Sequence, residues 1–200
     1  MLLGLTLNGS ASPISGDIGV ISDRNTKNAY AELNAFYSLP GKVQGYTFVD
    51  QYQDHGAYVS KTALTRNLTD NLSARLQIVE ADQPFTEAGL GLKYNLHGLP
   101  NGTFACLHAM PAWFNENGRE HNVFKLGYFV SQDLPGNFYL SNYGEANLAA
   151  KAGPTWCYGE IELGKRIGNL KVAANVAMNG TADGKITPEL EARLAVRGTF

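Results

Sequence analysis

Glu189-Leu-Glu-Ala-Arg-Leu-Ala-Val-Arg-Gly-Thr-Phe200 is the stretch that decides the fold. On an extended strand, Leu190, Ala192, Leu194, Val196, Gly198 and Phe200 share one face. Glu189, Glu191, Arg193, Arg197 and Thr199 share the other, and Ala195 is the exception. Side chains alternate with period two along a strand, so one face is apolar and the other strongly charged. A helix is the alternative, because Thr187-Pro188 suits a helix start. It would gather Leu190, Leu194 and Arg197 on one face, a poorer separation than the strand gives. The segment also stops on an aromatic residue. Such a strand suits a closed membrane barrel, whose last strand pairs with its first and whose aromatics sit at the lipid boundary.

Working outward, tight turns recur along the chain. They are Leu39-Pro-Gly-Lys42, Thr69-Asp-Asn71, Leu99-Pro-Asn-Gly102, Leu134-Pro-Gly-Asn137 and Ile167-Gly-Asn169. Each uses the residues that reverse a chain, and each stands between amphipathic runs. From Pro40 through Asp70, Pro100, Pro135 and Gly168 to Phe200 the steps are 30, 30, 35, 33 and 32 residues. That is the length of two strands of about ten residues, a tight turn and a longer loop. The segments between the turns are longer and more polar, as in Asp23–Asn28, Asp54–Gly56, Ala81–Pro84, Asn115–His121, Asn142–Pro154 and Asn179–Lys185. Short turns at one end and long loops at the other is the membrane-barrel pattern. The expectation is an all-β, closed, antiparallel up-and-down transmembrane barrel of about twelve strands, with ten as the smaller alternative.

Strands 72–78, 87–96 and 169–178 alternate cleanly. Strands over 43–52 and 56–66 are ambiguous, because Tyr46 and Phe48 share a face with Gln44 and Asp50. The run from Asn142 to Ala150 is compatible with a short helical turn.

Composition agrees. The 200 residues suffice for one domain over 1–200, with residues 1–12 a signal remnant or an extension. Charged residues are only 17%, and 22 glycines fit turn-rich β-structure. A formal charge of −2 gives no basic field, so nucleic acid is not expected as a partner. No segment reads as a helix of about 20 apolar residues, which does not bear on barrel strands. Cys106 and Cys157 lack metal or redox spacing and read as two small, free thiols. No metal site and no cofactor are expected.

No catalytic motif stands out. A Ser-His pair of the outer-membrane lipase kind would need closer spacing than His121 with Ser131 or His55 with Ser60, so no catalytic residue is assigned. The polar faces carry the signal. Arg75, Glu87, Lys93, Lys125, Glu160, Glu162, Lys171, Glu191, Arg193 and Arg197 are the candidate pore-lining residues, with Glu32, Asn34, Gln77 and Asn175 on the same faces. Arg or Lys facing lipid costs about 2–4 kcal/mol at mid-membrane, so these groups must face the lumen. They form either a water-filled pore or a plug of paired charges. The near balance of signs implies weak ion selectivity. Tyr37, Tyr94, Phe138, Tyr139 and Phe200 near the short turns, and Tyr30, Trp113, Phe114 and Trp156 near the loops, read as two aromatic girdles.

The Glu189–Phe200 strand resembles the C-terminal strand of bacterial outer-membrane β-barrel proteins. That resemblance implies an outer-membrane location, contact with outer-membrane lipid, and an assembly signal at Phe200 read by the barrel assembly machinery. Gly45-Tyr-Thr-Phe-Val-Asp50 is similar to a run in nucleoside-specific outer-membrane channels. It implies that Tyr46, Phe48 and Asp50 meet a small, nucleoside-like polar solute, with no cofactor. Small oligosaccharide porins also use twelve strands, but with lumens richer in Arg. Three functions stay open: a passive channel for small polar solutes, a closed barrel acting through its surface loops in adhesion or structure, and a soluble barrel binding an apolar ligand. The third reverses the two faces, which periodicity alone does not distinguish.

Overall fold

The computed structural model describes residues 14–23, 29–52, 57–82, 85–115, 123–149, 153–179 and 189–200. Only the backbone is described for residues 23, 85–86, 112–115, 123, 149, 153–156, 179 and 189. Residues 1–12, the long-loop centres, His55 and His121 lie outside the description, as do the Trp113, Phe114 and Trp156 side chains.

Twelve antiparallel strands close into one barrel. They are β1 (Ser15–Asp23), β2 (Ala29–Leu39), β3 (Val43–Tyr52), β4 (Tyr58–Asn67), β5 (Leu72–Ala81), β6 (Phe85–Leu96), β7 (Thr103–Asn115), β8 (Val123–Leu134), β9 (Phe138–Ala149), β10 (Gly153–Ile167), β11 (Leu170–Asn179) and β12 (Glu189–Thr199). Each strand pairs with its neighbours in sequence, and β12 returns to β1, so no edge is left unpaired. The closing register runs from Asp17↔Thr199 to Asp23↔Arg193. Phe200 extends it, exchanging backbone hydrogen bonds with Gly16 at 3.1 and 3.2 Å.

The tight turns fall where the sequence places them. Gly41, Lys42, Gly98, Gly102, Gly136, Asn137 and Gly168 have positive φ there. That left-handed backbone is why these turns use Gly and Asn. A single 3-10 turn, Pro135–Asn137, joins β8 to β9. Asn142–Ala149 is strand, not a helical turn, and residues 189–199 are strand, as alternation requires. One irregularity matters for the interior. Leu90 faces Ala112 while Leu92 faces Ala109, so Met110 and Pro111 bulge opposite Gly91. Pro111 has no N–H for the ladder, which suits a bulge. A β-carbon on Gly91 would meet the Ala109 carbonyl oxygen at 2.0 Å.

The two faces sort by polarity. Leu190 and Leu194 are about two-thirds exposed at 63% and 64%, whereas Arg197 is 5% exposed. Outside stand Ile18, Val20, Leu90, Leu92, Leu126, Leu140, Leu163, Val172 and Val196. Inside, buried, are Asp17, Lys61, Gln77, His108, Lys125, Glu145, Glu162, Asn175 and Arg197. Apolar outside and charged inside is the arrangement of a transmembrane barrel, the reverse of a soluble one. Ala195, the exception in the alternation of β12, also faces inward. It packs with Ile21, Ala173, Tyr30 and Tyr139 in a small apolar cluster inside the wall.

Candidate functional site: the lumen

The ten charged side chains read as pore-lining all project from inward positions. Lys171 pairs in register with Arg197, Glu87 with Val79, and Lys93 with His108. Glu160 and Glu162 sit opposite Tyr143 and Ser141, and Glu191 and Arg193 opposite Ala177 and Asn175. Arg75 lies across from Thr65, and Lys125 from Asn147. Tyr46, Phe48 and Asp50 project inward from β3. Tyr46 donates to Asn34 at 2.8 Å, and Asn34 donates to Asp17 and Glu32 at 2.9 and 2.7 Å.

These groups fall into two networks, one along the side of the wall from β10 to β2 and one that crosses the lumen. In the first, the Arg197 guanidinium on β12 donates to Glu32 on β2 at 2.5 Å and to Glu162 on β10 at 2.7 Å. Tyr139 donates to Glu162 at 2.7 Å, its ring lying over Gly164, where a β-carbon would meet the hydroxyl at 2.4 Å. Lys171 pairs with Asp17 at 2.6 Å. Near the loop end, Arg193 donates to Tyr30 at 3.0 Å and to Glu191 at 2.5 Å, with Glu160 at 4.0 Å. Tyr158 donates to Glu160 at 3.0 Å. Asp50 Oδ1 and Arg193 Nε are buried there without a hydrogen-bond partner among the described residues.

The second network combines Gln77, Glu87 and Lys125, which the sequence placed on inward faces, with Lys61, His108 and Glu145, which it did not. Glu145 on β9 accepts from Lys61 Nζ on β4 at 2.9 Å and from Gln77 on β5 at 3.2 Å. His108 Nε2 on β7 is 3.1 Å away, and Lys125 on β8 is 3.8 Å away. Lys125 also reaches Glu87 at 3.5 Å. Lys61 donates to the Tyr143 hydroxyl and lies over the rings of Tyr143 and Phe48, at 4.7 and 5.9 Å from their centroids. Lys61 and Glu145 sit on strands five places apart in a ring of twelve, so they meet near the barrel axis. Gln77 is 0% exposed and Glu145 4% exposed, so side chains crowd the lumen at this level.

Two basic groups lie below it, Arg75 joined to it through Gln77. Arg75 bonds Gln77 at 2.7 Å, and Lys93 lies over the Phe104 ring at 5.5 Å. Neither has a carboxylate within ion-pair distance among the described residues.

The girdle expectation is corrected in part. Tyr94, Phe138 and Phe200 face outward at the short-turn rim, exposed by 44%, 41% and 57%. Tyr30 and Tyr139 instead face the lumen, because their hydroxyls bond Arg193 and Glu162. Tyr37 lies on the outer face across Gly45 and contacts Thr47 at 3.1 Å, and Thr47 contacts Thr62 at 3.0 Å. Cys106 and Cys157 are both free.

No protein-family profile and no curated protein matches this sequence. Solved structures match its fold. The porin KdgM, solved in complex with disordered oligogalacturonate, is 10% identical. That match covers 93% of this chain and 99% of the other, with a TM-score of 0.61. The NanC porin is 8% identical over 92% of this chain and 100% of its own, with a TM-score of 0.63. Identities this low establish fold and not activity. The chain has the twelve-stranded barrel fold of these outer-membrane porins.

Proposed function

We propose that this protein is a narrow, passive channel for small polar solutes in the bacterial outer membrane. The observation that carries this reading is the inversion of polarity. Ionisable side chains from β1 through β12 converge on a shared interior, while the outer wall is apolar. Lipid-facing charge is excluded by its cost, so the charge is concentrated where polar solutes would pass. The porin fold of the matched structures supports the same reading.

The finer reading is a small, nearly neutral solute with a flat ring, such as a nucleoside. Phe36, Tyr46 and Phe48 form an inward aromatic row, with centroids 4.8 and 6.4 Å apart. Tyr143 and Tyr158 form another across the lumen at 6.2 Å. Rings offer stacking faces, and Asp50 and the Glu and Arg pairs offer hydrogen bonds.

A second reading is a closed barrel that acts through its surface loops. It is favoured by the crowding of side chains around Glu145. Planar-bilayer recording of the refolded protein separates the two. The channel reading expects discrete current steps. A heat-modifiable, fully folded barrel that gives no current moves function to the loops.

A further inference from the structure

Among the described residues, Lys61 and Glu145 hold a position unlike any other charged pair. The Arg197 and Arg193 contacts join β12 to the nearby strands β2 and β10, along one side of the wall. Glu145 instead draws together Lys61, Gln77, His108 and Lys125 from β4, β5, β7 and β8. Lys61 completes the crossing by its contact with Tyr143. Any solute passing from one end to the other must pass this group.

The local sequence makes room for it. A β-carbon on Gly127 would meet His108 Nε2 at 2.1 Å and Glu145 Cγ at 3.0 Å. Ala63 and Gly89 both pair in register with Gln77. Small residues flank the cluster, so long polar side chains from opposite walls reach the axis and narrow it.

We infer that the Lys61–Glu145 pair is the selectivity filter of the lumen, fixing both its bore and its ion preference. The inference rests on the channel reading. In the intact pair the two charges cancel. Removing the carboxylate leaves Lys61 and Lys125 facing the axis and favours anions. Removing the Lys61 ammonium leaves Glu145 with less compensation and favours cations. The Arg197 and Arg193 groups carry mixed charges along one side of the wall, so they contribute less to discrimination at the axis.

The test is the zero-current potential across a planar bilayer in a potassium chloride gradient, with the full chain. Glu145→Gln should move it toward the chloride equilibrium potential, and Lys61→Gln toward that of potassium. A purely structural role would not produce shifts of opposite sign. Heat-modifiable migration shows that each variant is folded. Lys61→Arg keeps the charge and the contact but adds bulk, so conductance should fall with ion preference unchanged; this variant carries the test if the others do not fold. A silent wild type with conducting Lys61→Gln or Glu145→Gln overturns the filter, because the pair then closes the lumen instead of selecting within it. Conducting, folded variants with the wild-type potential and conductance overturn the inference and leave the channel reading standing. Silence from the wild type and every folded variant overturns the channel reading itself.

Discussion

The His108 imidazole occupies the space that a β-carbon on Gly127 would need. The two meet on neighbouring strands, β7 and β8, in direct register. The ring crosses the glycine to reach Glu145 on the next strand, at 3.1 Å. Gly127→Ala should push the ring aside and break that contact. Overpacking of this kind costs about 1–3 kcal/mol. The measurement is the midpoint of urea unfolding in lipid vesicles, which should fall. An unchanged midpoint would show that the ring has free space elsewhere.

Arg197 separates buried from exposed pairing. Arg197→Met leaves Glu32 and Glu162 without their shared cation in a water-poor interior. Breaking such a buried pair costs about 3–5 kcal/mol. Arg166 and Asp133 also make a short contact, at 2.8 Å, but their side chains are 46% and 60% exposed. Arg166→Ala should therefore change stability by no more than about 1 kcal/mol. Equal effects of the two substitutions on urea unfolding would contradict the assignment of Arg197 to a buried network.

Gly16 and Phe200 make the last rung of the closing seam. The Phe200 ring also covers Gly16 on the outer face, where a β-carbon would approach it to 2.9 Å. Phe200→Asp puts a charge at the lipid rim and loses that cover. Assembly into vesicles should slow, and the folded fraction should drop. Wild-type folding rates and yields for this variant would remove Phe200 from the assembly step.

Legibility in the sequence followed the regularity of each strand. β5, β6, β11 and β12 could be read because their outer positions are nearly all Leu, Ile, Val or Ala. β3 and β4 could not. Their inner faces carry Tyr46, Phe48, Val59 and Ala63, and their outer faces carry Thr47, Ser60 and Thr62, so local hydrophobicity points the wrong way. The Thr47 and Thr62 hydroxyls satisfy each other outside, which makes the inversion tolerable. β9 was obscured in the same way by Asn142, which faces outward and accepts from the Tyr128 hydroxyl at 2.9 Å. Lys61 lies on β4 and Glu145 on β9, so the central pair fell in the strands that periodicity reads least well. Its partners are 68 and 37 residues from Glu145 for Gln77 and His108. Contacts that distant are set by barrel closure and leave no trace in a local pattern.

The most direct test of the account is osmotic swelling of vesicles that contain the refolded, full-length protein. The account predicts that small polar solutes, a nucleoside and a pentose among them, enter and cause swelling, while larger oligosaccharides are excluded at the Lys61–Glu145 level. Vesicles with folded, heat-modifiable barrels that admit none of these solutes would contradict it.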